Sequence, residues 1–94
     1  MDTRDELRVK IVKQLARKKV VGTHNKQVET VKNWFESSEQ GVVAELLREM
    51  IRDPTSPLEG YGGARDTVRL TSIADAKEYI KENGSELPWG LRET

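Results

Sequence analysis

The stretch Leu58–Ser72, LEGYGGARDTVRLTS, is where the pattern of the chain changes from helical to extended. Before it, apolar residues recur three and four positions apart; within it they alternate, and Val68 and Leu70 fall on one face. The alternation predicts short strands at about 58–61 and 67–71, with GGARD as the loop between them. Because a two-stranded ribbon is marginal by itself, this hairpin requires a helical layer to pack on.

Segments with helical periodicity supply that layer on both sides of the hairpin. They predict four helices, over about 4–17, 25–35, 38–52 and 73–83. The β-branched pair Val20–Val21 predicts a very short strand after the first helix, and Pro54 and Pro57 end the third.

Capping residues mark where these helices begin. The signals are Thr3 with Glu6, Ser37 with Gln40, and Ser72 with Asp75. In each pair a side-chain oxygen can accept from a backbone N–H three residues ahead. Gly84 supplies the left-handed stop of the fourth helix.

The length allows one hydrophobic core. We expect a single domain over 1–84, followed by a tail over 85–94 whose Trp89 either docks on the first or fourth helix or contacts a partner. There is no cysteine, which excludes disulfides, thiol catalysis and cysteine-ligated zinc. No apolar run approaches the roughly 18 residues of a membrane span, and the first residues have no apolar leader, so we expect a soluble cytoplasmic protein without a membrane partner.

Catalytic and metal-binding constellations are missing from the sequence. His24 is the only histidine, and no further nitrogen or sulfur ligand is spaced to join it on a metal. The carboxylates lie at helical surface or cap spacing, and GYGG lacks the strand-to-helix setting of a phosphate loop. We therefore expect no enzymatic activity, no metal and no cofactor.

A net charge of zero conceals a strong asymmetry. Residues 1–35 carry nine Lys and Arg against four acids, a net of +5, whereas residues 36–94 carry seven against twelve, a net of −5. A local basic field of this kind attracts phosphates. Two solvated helical faces of opposite sign are the other interpretation.

The order helix, short strand, helix, turn, helix, β-hairpin, helix resembles the winged helix-turn-helix superfamily over residues 4–83. The segment GYGGARDTVRLTSIADAKEYIKENG in particular is similar to the wing and following helix of small prokaryotic, especially archaeal, winged-helix proteins. The resemblance implies an α+β fold, a three-helix core with a β-hairpin wing and a C-terminal fourth helix. It also implies that the helix over 38–52 is a recognition helix in the major groove and that the wing, 62–66, lies on the flanking backbone.

Candidate DNA-binding residues follow from this arrangement. On the solvent side of the third helix they are Gly41, Ala44, Glu45, Arg48 and Arg52. Small residues allow close approach to the major groove, and an arginine there can donate to guanine while a glutamate accepts from cytosine. In the wing they are Arg65 and Arg69. The phosphate contacts, which supply affinity without sequence information, are Lys18, Lys19 and Lys26.

Two functions stay open at this point. The first is a small transcriptional regulator that binds double-stranded DNA and dimerises through its fourth helix or its tail. The second is a winged-helix module that binds protein without DNA, which the mixed charge of the third helix favours because its glutamates repel phosphate. The wing has two interpretations of equal weight. Arg65 can bind a phosphate, or it can form a structural turn together with Asp66.

Overall fold

The computed structural model describes residues 3–60 and 66–83, where the chain forms a small α+β domain with four helices and a three-stranded antiparallel sheet. In chain order the elements are α1 (Thr3–Arg17), β1 (Lys26–Gln27), α2 (Val28–Lys32), α3 (Ser37–Arg52), β2 (Leu58–Glu59), β3 (Thr67–Leu70) and α4 (Ile73–Glu82). The tail with Trp89, the Gly84 stop and most of the hairpin loop, including Arg65, lie outside the described residues.

The core lies where α1 packs against α3 and α4 and where β3 covers the helices. Its largest fully buried side chains include Ile11, Leu15, Leu46, Leu47, Leu58, Leu70 and Ile80. Ile73 and Tyr79 of α4 are partly buried against them, as the helical period predicts. Within the described residues no buried side-chain polar atom lacks a hydrogen-bond partner.

Strand β3 is the centre of the sheet, whose order is β1-β3-β2. Lys26 of β1 lies opposite Val68, and Leu58 of β2 lies opposite Leu70. Val68 and Leu70 are both fully buried, which confirms the alternation that the sequence predicts. Two residues of β2 and four of β3 are in strand, fewer than predicted.

The predicted strand at Val20–Val21 is wrong in extent. Val21 forms only an isolated parallel bridge with Leu70, whose N–H donates to the Val20 carbonyl at 2.7 Å. Gly22, at a φ of +67°, then turns the chain, and the first true strand follows at Lys26–Gln27.

Helix α2 spans five residues, much less than the predicted 25–35. Its predicted first turn is in β1 instead, because Lys26 and Gln27 pair with β3, and the Val28 N–H donates to the Asp66 carbonyl at 2.7 Å. The residues after it form a tight turn in which the Phe35 N–H donates to the Lys32 carbonyl at 3.1 Å.

Helix α3 begins one residue earlier than predicted and without the predicted capping box. Ser37 is its first residue, Glu36 occupies the N-cap position with no side-chain hydrogen bond, and the Gln40 amide donates instead to the Phe35 carbonyl at 3.1 Å. The predicted cap of α4 is confirmed, since the Ser72 hydroxyl accepts from the Asp75 N–H at 3.0 Å.

We expect the Ser72→Ala variant to lower the free energy of unfolding by about 1 kcal/mol, because it leaves the Asp75 N–H without its acceptor. Ser38, an exposed serine in the first turn of α3, is the control, and Ser38→Ala should change stability by less than about 0.5 kcal/mol. Urea unfolding followed by circular dichroism compares the two. Equal losses for both variants would contradict the assigned cap.

Candidate nucleic-acid interface

Helix α1 ends in a backbone motif that normally requires glycine. The Val20 N–H donates to the Leu15 carbonyl at 3.0 Å and the Lys19 N–H donates to the Ala16 carbonyl at 3.1 Å, which is the bonding pattern of a Schellman motif. The residue in its left-handed position is Lys19, at a φ of +53°, and its side chain is exposed. A side chain with a β-carbon is strained there by roughly 1 kcal/mol relative to glycine.

Cations at this end of the molecule are unpaired. Within the described residues none of the following has an acidic group within 4.0 Å: Lys10, Lys13, Arg17, Lys18 and Lys19. By contrast, Arg8, Lys32 and Arg48 each have an ion-pair partner. Nine described cations lack such an acidic group, and these five lie on the second half of α1 and the two residues after it, whereas the other four are Lys26, Arg52, Lys77 and Lys81.

A groove runs beside these cations, and we call it the Trp34 groove. Its lining residues are Lys10, Lys13, Gln14 and Arg17 of α1, Trp34, Phe35 and Glu36 of the α2–α3 turn, and Glu39 of α3. The groove has a volume of about 440 Å³. Trp34 and Phe35 are partly buried against the core, and the Lys18 ammonium lies 4.7 Å from the centre of the Trp34 ring. A cation at this distance is attracted by the ring face.

The exposed face of α3 is centred on Gly41. A β-carbon built at Gly41 would meet no atom within 4 Å, so the position could carry a side chain without a clash. Ala44 is a correction to the sequence prediction, because it is only 8% exposed and belongs to the core instead of the solvent face. The buried face of α3 therefore extends further around the helix than the period indicated.

Arg48 lies beside Asp66, the residue before β3. Its guanidinium is 3.8 Å from an Asp66 carboxylate oxygen, and the two side chains are 46% and 64% exposed. Glu29 is nearby: a hydrogen bond from Lys32 holds the pKa of Glu29 below its ordinary value, and the charges of Lys32 and Arg48 act in the same direction. An exposed pair of this length contributes little stability, so Arg48 can exchange partners. Arg52 is also exposed.

The glutamates of α3 face α1. Arg4 lies 3.6 Å from Glu45 and 3.7 Å from Glu49, and Arg8 lies 3.8 Å from Glu49. These exposed ion pairs partly neutralise the carboxylates that would otherwise repel a phosphate backbone. Glu45, predicted to accept from cytosine, takes part in one of these exposed pairs and is itself 61% exposed.

Arg69, predicted to contact DNA from the wing, is held inside the fold. Its Nε donates to Glu59 at 3.2 Å across the β2–β3 pair, and its Nη1 donates to the Gly22 carbonyl at 2.8 Å. The side chain is 28% exposed. It ties the turn after α1 to the hairpin through two of its five N–H donors.

The other predicted contacts are more dispersed. Lys26 is exposed on β1 at the edge of the sheet. His24 is exposed, and its backbone N–H donates to the Val21 carbonyl at 3.1 Å. The structure thus brings Lys18 next to Trp34, and it places Arg48 beside Asp66 and near Glu29 of α2.

Polar groups after the end of α3 bond to one another. Thr55 donates to Asp53 through its hydroxyl at 2.7 Å and its backbone N–H at 2.9 Å, and these bonds lower the pKa of Asp53. Burial raises the pKa of Tyr79, with Asp5 and Asp53 adding to that effect and Arg8 opposing it. Over the described residues no group of three or more His, Cys, Asp or Glu is arranged to hold a metal, and no helix is long and apolar enough to cross a membrane.

Sequence reasoning missed the left-handed Lys19 and the Trp34 groove. Lys10, Lys13 and Arg17 share one side of α1, which the period does predict. Trp34 and Phe35 line the same groove because α2 is short, and the helical period does not predict that short helix.

No protein-family model, no curated protein and no solved structure matches this chain.

We expect Arg69→Ala to lower the free energy of unfolding by about 1 to 2 kcal/mol, because it leaves the Gly22 carbonyl and Glu59 without their donor. Arg52→Ala, which removes an exposed arginine, should cost less than about 0.5 kcal/mol. Chemical denaturation measures both. If Arg69→Ala is as stable as the parent chain, these two hydrogen bonds do not stabilise the fold.

Proposed function

We propose that the chain is a winged-helix domain that binds double-stranded DNA as a small cytoplasmic transcriptional regulator. The succession α1-β1-α2-α3-β2-β3 and the sheet order β1-β3-β2 support this interpretation, since they make a helix-turn-helix with a hairpin beside it. In this arrangement α3 enters the major groove, and the wing, 62–66, lies on the flanking backbone.

The observation that carries the proposal is the strained, unpaired Lys19. Backbone strain that persists at one residue points to a role for that residue. Glycine at this position would remove the strain, but it would also remove the positive charge next to Lys18. A phosphate is the natural partner of two exposed lysines on consecutive residues.

The exposed face of α3 supports the same function, because it has a glycine at a helical position where another residue would be more stable. Gly41 lies inside a helix, where glycine costs roughly 0.5 to 1 kcal/mol relative to alanine, and there is open space for a side chain. A bare helix surface allows the close approach that a groove requires. Together with Arg48 and Arg52 it forms a small contact area, so most of the affinity comes from phosphates and sequence discrimination is modest.

A protein-binding module is the second candidate. The observation that favours it is the engagement of Glu45 and Arg69 within the fold, which leaves fewer side chains to contact bases. The two candidates differ in their response to duplex DNA at low salt.

We expect the protein to bind a random-sequence duplex of about 20 base pairs with an affinity that falls steeply between about 50 and 200 mM salt. Lys18→Ala/Lys19→Ala should reduce the slope of log affinity against log salt by about 2, because two phosphate contacts are lost. Lys77→Ala/Lys81→Ala on α4 removes the same charge elsewhere and is the matched control. Fluorescence anisotropy of a labelled duplex gives the slopes, and the absence of any low-salt binding by the parent chain would contradict the proposal.

Two single substitutions should separate stability from binding. We expect Lys19→Gly and Gly41→Gln each to raise the free energy of unfolding by about 0.5 kcal/mol, because one relieves the left-handed strain and the other removes glycine from a helix. Each should nevertheless weaken duplex binding at least about threefold, the first by losing a charge and the second by obstructing close approach.

Gly41→Ala adds only a methyl group and is the control for bulk on α3. Urea unfolding and anisotropy on the same samples check both effects. Variants that are more stable and bind the duplex as well as the parent chain would show that neither residue is kept for DNA.

A further inference from the structure

We propose that the Trp34 groove docks an acidic peptide segment of a partner protein, one that carries an apolar side chain between its carboxylates. This interaction is separate from duplex binding, because Lys10 and Lys13, which line the groove, are not among the proposed DNA contacts.

The floor of the groove is apolar and accessible. Trp34 and Phe35 are only partly buried, although both pack against the core from the α2–α3 turn. The volume of about 440 Å³ accommodates one or two large side chains of a ligand. Aromatic rings in such a position are typical anchors of protein interfaces.

The α1 wall of the groove supplies positive charge at helical spacing. Lys10, Lys13 and Arg17 follow one another at three and four residues, so they form a ladder about two turns long. No acidic group of the described residues lies within 4.0 Å of these three cations. A segment with carboxylates at matching intervals would neutralise them without breaking an existing ion pair.

The charges across the groove select a peptide over a single-stranded nucleic acid. Glu36 and Glu39 line the same groove as the cations, and among the described residues neither forms an ion pair with them. A nucleic acid carries a phosphate on every unit and would meet these carboxylates, whereas a peptide can place apolar or neutral residues beside them. In addition, the Lys18 ammonium already covers the Trp34 ring at 4.7 Å, where a base would have to stack.

The test uses the full chain with Trp89→Phe, which leaves Trp34 as the only tryptophan. The probe is a capped peptide of about 12 residues in which pairs of Glu alternate with single Leu residues, and its partner has Gln in place of every Glu. We expect the Glu peptide to shift the Trp34 fluorescence saturably, with a Kd on the order of 100 μM at low salt. The Gln peptide should bind at least about tenfold more weakly.

Charge variants locate the binding. Lys10→Glu/Lys13→Glu should weaken the Glu peptide on the order of tenfold, and Lys10→Gln/Lys13→Gln should weaken it less. Lys77→Glu/Lys81→Glu on α4 changes the net charge equally and should leave the peptide affinity within about twofold. Circular dichroism confirms that each variant is folded before binding is measured.

Any of three results overturns the proposal: no saturable shift with the Glu peptide up to about 1 mM, equal affinity for the Gln peptide, or equal losses for the α1 and α4 variants. Tighter binding of an oligothymidylate than of the Glu peptide, with quenching of Trp34, also overturns it in favour of single-stranded nucleic acid. If the protein does not bind duplex DNA, the peptide proposal still stands. The duplex experiment varies Lys18 and Lys19, whereas the peptide experiment varies Lys10 and Lys13.

Discussion

The hydrogen bonds of β3 are the constraint on which the rest of the fold depends. This strand of four residues pairs with β1 on one side and β2 on the other, and the Leu70 N–H donates to the Val20 carbonyl at the end of α1. Neither two-residue neighbour would be stable alone. With Val68 and Leu70 buried, β3 fixes where α1 ends, where α2 begins and where α4 leaves the sheet.

The sequence predicts the elements that bury one broad face and fails where the outcome depends on partners distant in the chain. Helices α1, α3 and α4 are long enough to display a helical period, and their predicted bounds are nearly correct. Helix α2 is shorter than predicted because Lys26 and Gln27 pair with β3 instead of joining the helix. No local sequence pattern reveals that pairing. The bond from Arg69 to Gly22 spans 47 residues and is likewise invisible to periodicity.

The same reasoning explains why the candidate site is only partly predictable. Composition identifies a basic first third of the chain, but a cation becomes available only if the fold leaves it unpaired. Folding pairs Arg8, Arg48 and Arg69 with carboxylates and leaves Lys18 and Lys19 without one among the described residues. Tertiary contacts thus neutralise some of the cations and leave others exposed, so a chain with no net charge has a distinct positive region.

The outer strands are short, which limits the ability of this domain to bind another chain by strand pairing. In the described residues β1 and β2 offer two residues each, and β1 carries an exposed lysine. Edges this short provide too few free backbone groups to template a strand from a neighbour, so sheet extension and strand-exchanged dimers are disfavoured. Recognition by this molecule must therefore rely on side chains and helix surfaces, and a crowded, concentrated solution of it should resist fibrous aggregation.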